Sequence, residues 1–326
     1  MNKQCVFIIV FFGKFNSYFQ LFLNSCGFNS QCFDWLIFTD NPNINNYSIP
    51  RNVHVIHYTM KKFQEDASKK LGFQISLSYP YKLCDYKPAF GFLFEDYIKD
   101  YSYWGHCDCD TVIGDLNHFL TPKLNTKRYD MLFTLGHFIV YRNSFQNNRV
   151  FMNTFDNEIV YKDVFTSNNI CVFDENFNSK RNVPLMFLED GSKKIFTKDL
   201  SLNISTYFPQ LIQTKKNEID NRQELIKSPN QRFYYYNGRI ISLSYIDGKI
   251  VESEFMYIHL QGRKMRFNKK KSNDLNYEIL SDHFKSINKL PKTKKEMRLF
   301  SIKFTYFSRF DRIFSMIKKK LRLNKK

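Results

Sequence analysis

Asp108 and Asp110 stand two residues apart in the run Trp104-Gly105-His106-Cys107-Asp108-Cys109-Asp110-Thr111-Val112. In an extended backbone alternate side chains share a face, so the two carboxylates are expected to point the same way. Carboxylates converging at a strand end suit a hard divalent cation that takes further oxygen ligands from phosphate. Mg²⁺ or Mn²⁺ carrying a nucleotide diphosphate meets that description. Such pairs also occur as solvated turn residues, so the reading depends on what else converges there.

Three other stretches offer complementary chemistry. His259 leaves an apolar strand and is followed by Gly262, Arg263 and Lys264, types that could supply a third metal ligand and two cations for a diphosphate. The plain alternative is a strand end with ordinary surface charge. Tyr81 to Pro88 reads as a helix start, where backbone N–H groups and cations favour anions; Lys82 or Lys87 would face a phosphate, with Asp85 orienting one of them or binding a ribose hydroxyl. A structural helix cap is the competing reading. Asp174 and Glu175 form a carboxylate pair outside the metal motif, suited to accepting a proton from an attacking hydroxyl or steadying developing positive charge. His137 reads as a packed or acceptor-site histidine rather than a ligand.

The elements that must position these groups alternate between strand and helix. Val6–Phe12, Trp35–Thr39 and Val53–Tyr58 read as strands, and Tyr18–Cys26 as a helix. Thr59 can cap a helix over Met60–Leu71, closed by Gly72, and Pro88 opens another from Lys87 to Lys99. The pattern indicates an α/β sheet with ligands beyond the carboxyl ends of its strands. Phe11, Asp40 and the Asp-x-Asp pair all fall at such ends, giving base-stacking, nucleoside-binding and metal-binding groups on one edge. Met131–Thr134 and Phe138–Tyr141 read as strands, Asn153–Val164 as a helix. Phe233–Tyr236, Ile240–Tyr245 and Ile250–His259 form an antiparallel meander turned at Asn237-Gly238 and Asp247-Gly248.

The globular part, residues 1–268, is expected to give way at Lys269 to a basic linker and tail over 269–326. From Phe284 to Lys326 there are fifteen Lys/Arg against two acids, within a chain whose net charge is +18. Phe300, Phe304, Phe307, Phe314, Ile317 and Leu321 make one apolar helical stripe there, the pattern of a helix lying on an anionic membrane surface. Charge confined to one tail, with no recognised module, argues against a nucleic-acid-binding protein. Seven cysteines without framework spacing indicate free thiols in a reducing cytoplasm. His106, Cys107 and Cys109 lack the second Cys/His pair that zinc would need. The longest apolar run, Val6–Phe12, is too short to span a bilayer.

In order along the chain, Phe11-Phe12-Gly13-Lys14-Phe15, Phe38-Thr39-Asp40, Cys84-Asp85-Tyr86-Lys87-Pro88, Trp104-Gly105-His106-Cys107-Asp108-Cys109-Asp110 and Ile258-His259-Leu260-Gln261-Gly262-Arg263-Lys264-Met265 together resemble a bacterial family of GT-A-type glycosyltransferases found with surface-polysaccharide genes. The Asp-x-Asp with a distant His is also similar to the glycogenin and lipopolysaccharide galactosyltransferase type. The resemblance covers roughly residues 5–267. It implies a Rossmann-like GT-A fold with a mixed central sheet, a nucleotide-sugar donor, UDP-linked, and Mg²⁺ or Mn²⁺. By motif, Asp108, Asp110 and His259 would ligate the metal, Asp40 would bind the nucleoside, and Lys87 and Lys264 would face phosphate. Gly262-Arg263-Lys264 departs from the Gly-x-x-Lys-Pro-Trp ending of the glycogenin type. The implied activity is hexosyl transfer to a glycan or lipid-linked glycan, in the cytoplasm or on the inner face of its membrane. A silent sugar-binding protein of the same fold is the alternative.

Overall fold

Strands Cys5–Phe11 (β1), Phe33–Thr39 (β2) and Val53–His57 (β3) are parallel neighbours, and β1 and β2 are apolar almost throughout because both their faces are covered. Val6, Ile8 and Val10 of β1 join one core cluster, while Cys5, Phe7 and Ile9 join the cluster on the opposite face. The structure, a computed structural model, describes residues 3–155, 157–176, 181–216, 223–226, 231–267 and 276–298.

The protein is mixed α/β, and its described residues form three sheets. The first adds Tyr103–Cys107 (β4) parallel to β1, then Phe138–Arg142 (β7) antiparallel to β4, Met131–Leu135 (β6) and Ile195–Phe196 (β8), in the order β3-β2-β1-β4-β7-β6-β8. The second joins Thr111–Ile113 (β5), Ser201–Ile204 (β9), Gln213–Lys216 (β10), Gln223–Ile226 (β11) and Tyr257–His259 (β15) in the order β11-β10-β9-β15-β5. The third is β14-β13-β12-β16-β17, formed by Arg232–Tyr236 (β12), Arg239–Ile246 (β13), Lys249–Phe255 (β14), Tyr277–Ile279 (β16) and Phe284–Ser286 (β17). The turns joining β12 to β13 and β13 to β14 have positive φ at Asn237, Gly238, Asp247 and Gly248, the backbone that Asn-Gly and Asp-Gly turns favour.

Helices Phe19–Phe28 (α1) and Met60–Leu71 (α2) match the periodicity read from the sequence. Thr59 caps α2 by accepting from Lys62 N, and Gly72 closes it at φ +80. Four expectations need correction. The helix anticipated over Lys87–Lys99 is instead a 3₁₀ run, Pro80–Ala89, followed by the short helices Phe90–Leu93 and Glu95–Ile98. They break at Phe94, whose ring stacks on Phe38 at 4.2 Å. Of Asn153–Val164 only the end is helical, in Val160–Thr166, because Phe155 and Glu158 bond to each other's backbone around Asn157. The run from Ile250 to His259 divides at Met256 and serves two sheets. Folded structure also continues past 268: Tyr277 and Ile279 pack with Phe233 and Tyr235, and Met297 packs with Tyr234, Ile241 and Leu243. Their apolar character outweighs the polar segment before them.

The tail helix expected over Phe300–Leu321 lies outside the described residues. All seven cysteines are free thiols. Among the described residues no helix is long and apolar enough to cross a membrane.

Candidate metal centre

β4 ends at Cys107, and Asp108, Cys109 and Asp110 form the turn that carries the chain from the first sheet into β5 of the second. The two carboxylates therefore do not converge through strand alternation, as the spacing suggested. The turn brings them together. Several hydrogen bonds tie its backbone, among them Asp108 N to His137 O at 3.0 Å, Thr111 Oγ1 to Asp108 O at 2.7 Å, and Leu260 N to Asp110 O at 3.1 Å.

His259 arrives by strand register. β15 runs antiparallel to β5 with His259 opposite Thr111, the residue after Asp110. Beyond it, Gln261 and Gly262 both take positive φ, and the returning chain donates Gly262 N to Asp110 Oδ2. His259 Nε2 lies 3.4 Å from Asp110 Oδ1. Its other nitrogen, Nδ1, lies 3.1 Å from Asn203 Oδ1, which also accepts from Gln261 Nε2 at 2.8 Å. An oxygen there requires Nδ1 to carry the proton, leaving Nε2 of the neutral ring as a lone pair facing the carboxylates.

One ligand atom from each of Asp108, Asp110 and His259 lies within 4.8 Å of the others. Apart from His259 Nε2 at 3.4 Å, Asp110 Oδ1 is buried without a hydrogen-bond donor, an arrangement that a cation would satisfy. Two carboxylates and an imidazole are a donor set that Mg²⁺ or Mn²⁺ accepts, with room in its coordination shell for phosphate oxygens. Burial works against both charges, yet Asp110 holds the His259 pKa above its ordinary value and His259 lowers that of Asp110.

Lys87 adds a fixed cation beside this set. Its Nζ lies 2.7 Å from Asp108 Oδ1 and 3.2 Å from Asp174 Oδ2, and donates to Gly136 O at 3.0 Å. Against the cost of burial, Asp108 and Asp174 keep the Lys87 pKa well above its usual value. Asp174, only 5% exposed, behaves differently: burial, with Glu175 and Asp108 adding repulsion against the pull of Lys87, raises its pKa to about 7. Lys87 shares its charge with the nearer Asp108, so its pull does not overcome the desolvation of Asp174. Glu175 is half-buried next to it.

The structure thus brings Asp108, Asp110, His259, Lys87 and Asp174 together. Phe11 and Asp40 sit at the adjoining ends of β1 and β2. Phe11 stacks on Phe15 at 4.7 Å, and Asp40 accepts from Gly13 N at 2.9 Å. Asn16, in the same loop, donates to Cys109 O at 2.9 Å and joins that edge to the acidic turn. Lys264 is exposed.

Three residues expected at the ligand face elsewhere. Lys82 and Asp85 form a fully buried ion pair, and Lys82 also donates to Val164 O and Asn169 O. Arg263 donates to the carbonyls of Ser205, Phe208, Pro209 and Ser281, so its guanidinium staples loops instead of facing a phosphate. For the two cations the fold supplies buried oxygens that must be paired, while Asp85 accepts from the backbone N–H groups of Cys171 and Phe173.

Asn203, Tyr257 and Gly136 carry no signal that sequence reading used. Tyr257 Oη lies 2.9 Å from His137 Nδ1, and the His137 ring rests against His259 with centroids 4.1 Å apart. A Cβ on Gly136 would meet Asp174 Oδ2 at 2.6 Å, so only glycine lets the hairpin between β6 and β7 approach that carboxylate.

Residues 7–288 match a family of unknown function, DUF6625, and the chain belongs to that family. No curated protein matches the chain.

Proposed function

We propose that this chain is a metal-dependent glycosyltransferase of GT-A architecture, moving a sugar from a UDP-linked or similar nucleotide diphosphate donor to a bacterial surface glycan or lipid-linked acceptor. The observation that carries the reading is the meeting of Asp108, Asp110 and His259 within 4.8 Å, with a buried Asp110 oxygen left for a ligand. The strand order supports it: β2, β1 and β4 are parallel neighbours whose carboxyl ends present Asp40, Phe11 and the acidic turn along one edge.

Asp108, Asp110 and His259 would hold Mg²⁺ or Mn²⁺, which supplies charge neutralisation for the departing diphosphate. Lys87, kept protonated, adds positive charge beside Asp108 without reorganisation during the reaction. Asp174, poised near neutrality, is the group we assign to the acceptor hydroxyl, with Glu175 shaping its field. The basic tail would seat the enzyme on an anionic membrane.

The test is hydrolysis and transfer from UDP-, GDP- and CMP-sugars with Mn²⁺, Mg²⁺ or chelator. Asp110→Asn should abolish metal-dependent turnover while the protein stays folded. Full activity in that variant ends the proposal.

A further inference from the structure

We infer that the buried Lys82–Asp85 pair is a positioning device that aims Asp174 at the reaction centre, an inference that rests on the transferase reading above. Neither side chain reaches solvent, at 0% exposure each. Asp85 directs both oxygens at the backbone of one neighbouring segment: Oδ2 accepts from Cys171 N at 2.9 Å and Oδ1 from Phe173 N at 3.0 Å. Lys82 holds Asp85 in turn, with Nζ 2.8 Å from Oδ2 and 2.9 Å from Val164 O.

The gripped segment is not relaxed. Val172, between the two captured amides, has φ +56, a region that β-branched residues avoid. Charge-assisted hydrogen bonds on both sides of a strained residue hold it there. Asp174 follows directly. On its far side Asn176 N donates to Thr134 O at 3.0 Å, so the carboxylate is bracketed by two anchors.

Asp85 and Lys87 ride on the same 3₁₀ run, Pro80–Ala89. One grips the backbone ahead of Asp174; the other meets its carboxylate at 3.2 Å. A single rigid element therefore sets the separation between ammonium and carboxylate. A buried ion pair is a weak source of stability compared with apolar packing, which makes alignment the more informative account of its presence.

The experiment compares the parent with Asp85→Asn, in which the amide keeps one acceptor and turns a donor toward a loop N–H. Because that change leaves the Lys82 ammonium buried without a counter-ion, the neutral pair Lys82→Gln/Asp85→Asn is prepared beside it. In the variant that folds, transfer kcat should fall about 10–100-fold while the donor KM and calorimetric Mn²⁺–UDP binding stay within about twofold of the parent. Adding Asp174→Asn should cost little more, since both changes remove one function. Chymotryptic cleavage after the buried Phe173 should accelerate, a readout independent of turnover. Unchanged kcat, a loss additive with Asp174→Asn, or an unchanged cleavage rate overturns the inference. Absence of both transfer and metal-dependent donor binding in the parent sinks the transferase reading instead, and the cleavage comparison still decides the pinning.

Discussion

His259 and Asn203 meet at 3.1 Å through Nδ1 and Oδ1, and this contact fixes which imidazole nitrogen faces the acids. Parallel pairing of β15 with β9 places the two residues directly opposite, so the orienting group comes from the sheet itself. Removing it with Asn203→Ala frees the ring to flip or change tautomer. Mn²⁺ affinity, measured by calorimetry or electron paramagnetic resonance, should fall about 10–100-fold, without loss of fold. Unaltered affinity would mean that the ring needs no such partner.

Asp174 gives a pH signature. Its folded pKa of about 7 lies above the unfolded value of about 4. The folded protein therefore retains this proton after the unfolded chain has lost it, and stability attributable to the group declines as pH rises through that window. Asp174→Asn should show a Tm advantage over the parent that grows by a few degrees between about pH 4 and 7 and then levels off. Transfer by the parent should climb from about pH 6 to 8 as the carboxylate form accumulates, and that limb should vanish in the variant.

Lys87 opposes the rise in the Asp174 pKa, so its removal carries a defined sign. Lys87→Met should move the ascending limb of the pH–rate profile upward by about one unit, in addition to lowering kcat. A limb at its original position would show that Asp174 does not control it.

Gly136→Ala tests the close approach. The added methyl would lie 2.6 Å from Asp174 Oδ2 and 2.9 Å from its Cγ, so the carboxylate must shift from its present position. Transfer should drop about 10–100-fold with metal binding retained. Equal activity would remove Asp174 from the proposed chemistry.

Some of this was legible in the residues and some was not, for identifiable reasons. Thr59 and Gly72 bound their helix correctly because capping and a left-handed terminus are local requirements. The first strands were readable because burial on both faces leaves an unbroken apolar run. Asp108, Asp110 and His259 were recognisable by type, but their meeting depends on the register of His259 against Thr111, a long-range pairing invisible to spacing. Lys82, Asp85 and Arg263 misled for the same reason: a charge in a sequence does not announce which backbone groups will fold against it. The boundary expected at 268 does not hold because a polar stretch can precede, as here, an apolar strand that extends a sheet.

That strand gives a stability prediction. A chain ending at Asn268 loses β16 and β17 and uncovers Phe233 and Tyr235, whereas one ending at Arg298 keeps them and Met297. The shorter protein should aggregate on expression and the longer one should unfold cooperatively by circular dichroism. A soluble, cooperatively folding shorter chain would show the third sheet to be self-sufficient without them.

At Met256 the polypeptide passes from β14 to β15 with no intervening loop, its N–H given to Leu200 O and its carbonyl taken by Gly114 N. The histidine of the inner site is thus the terminus of a stave whose other end belongs to the outer meander. Loosening either end would tug the whole stave, so the second and third sheets are expected to melt together in a single calorimetric transition.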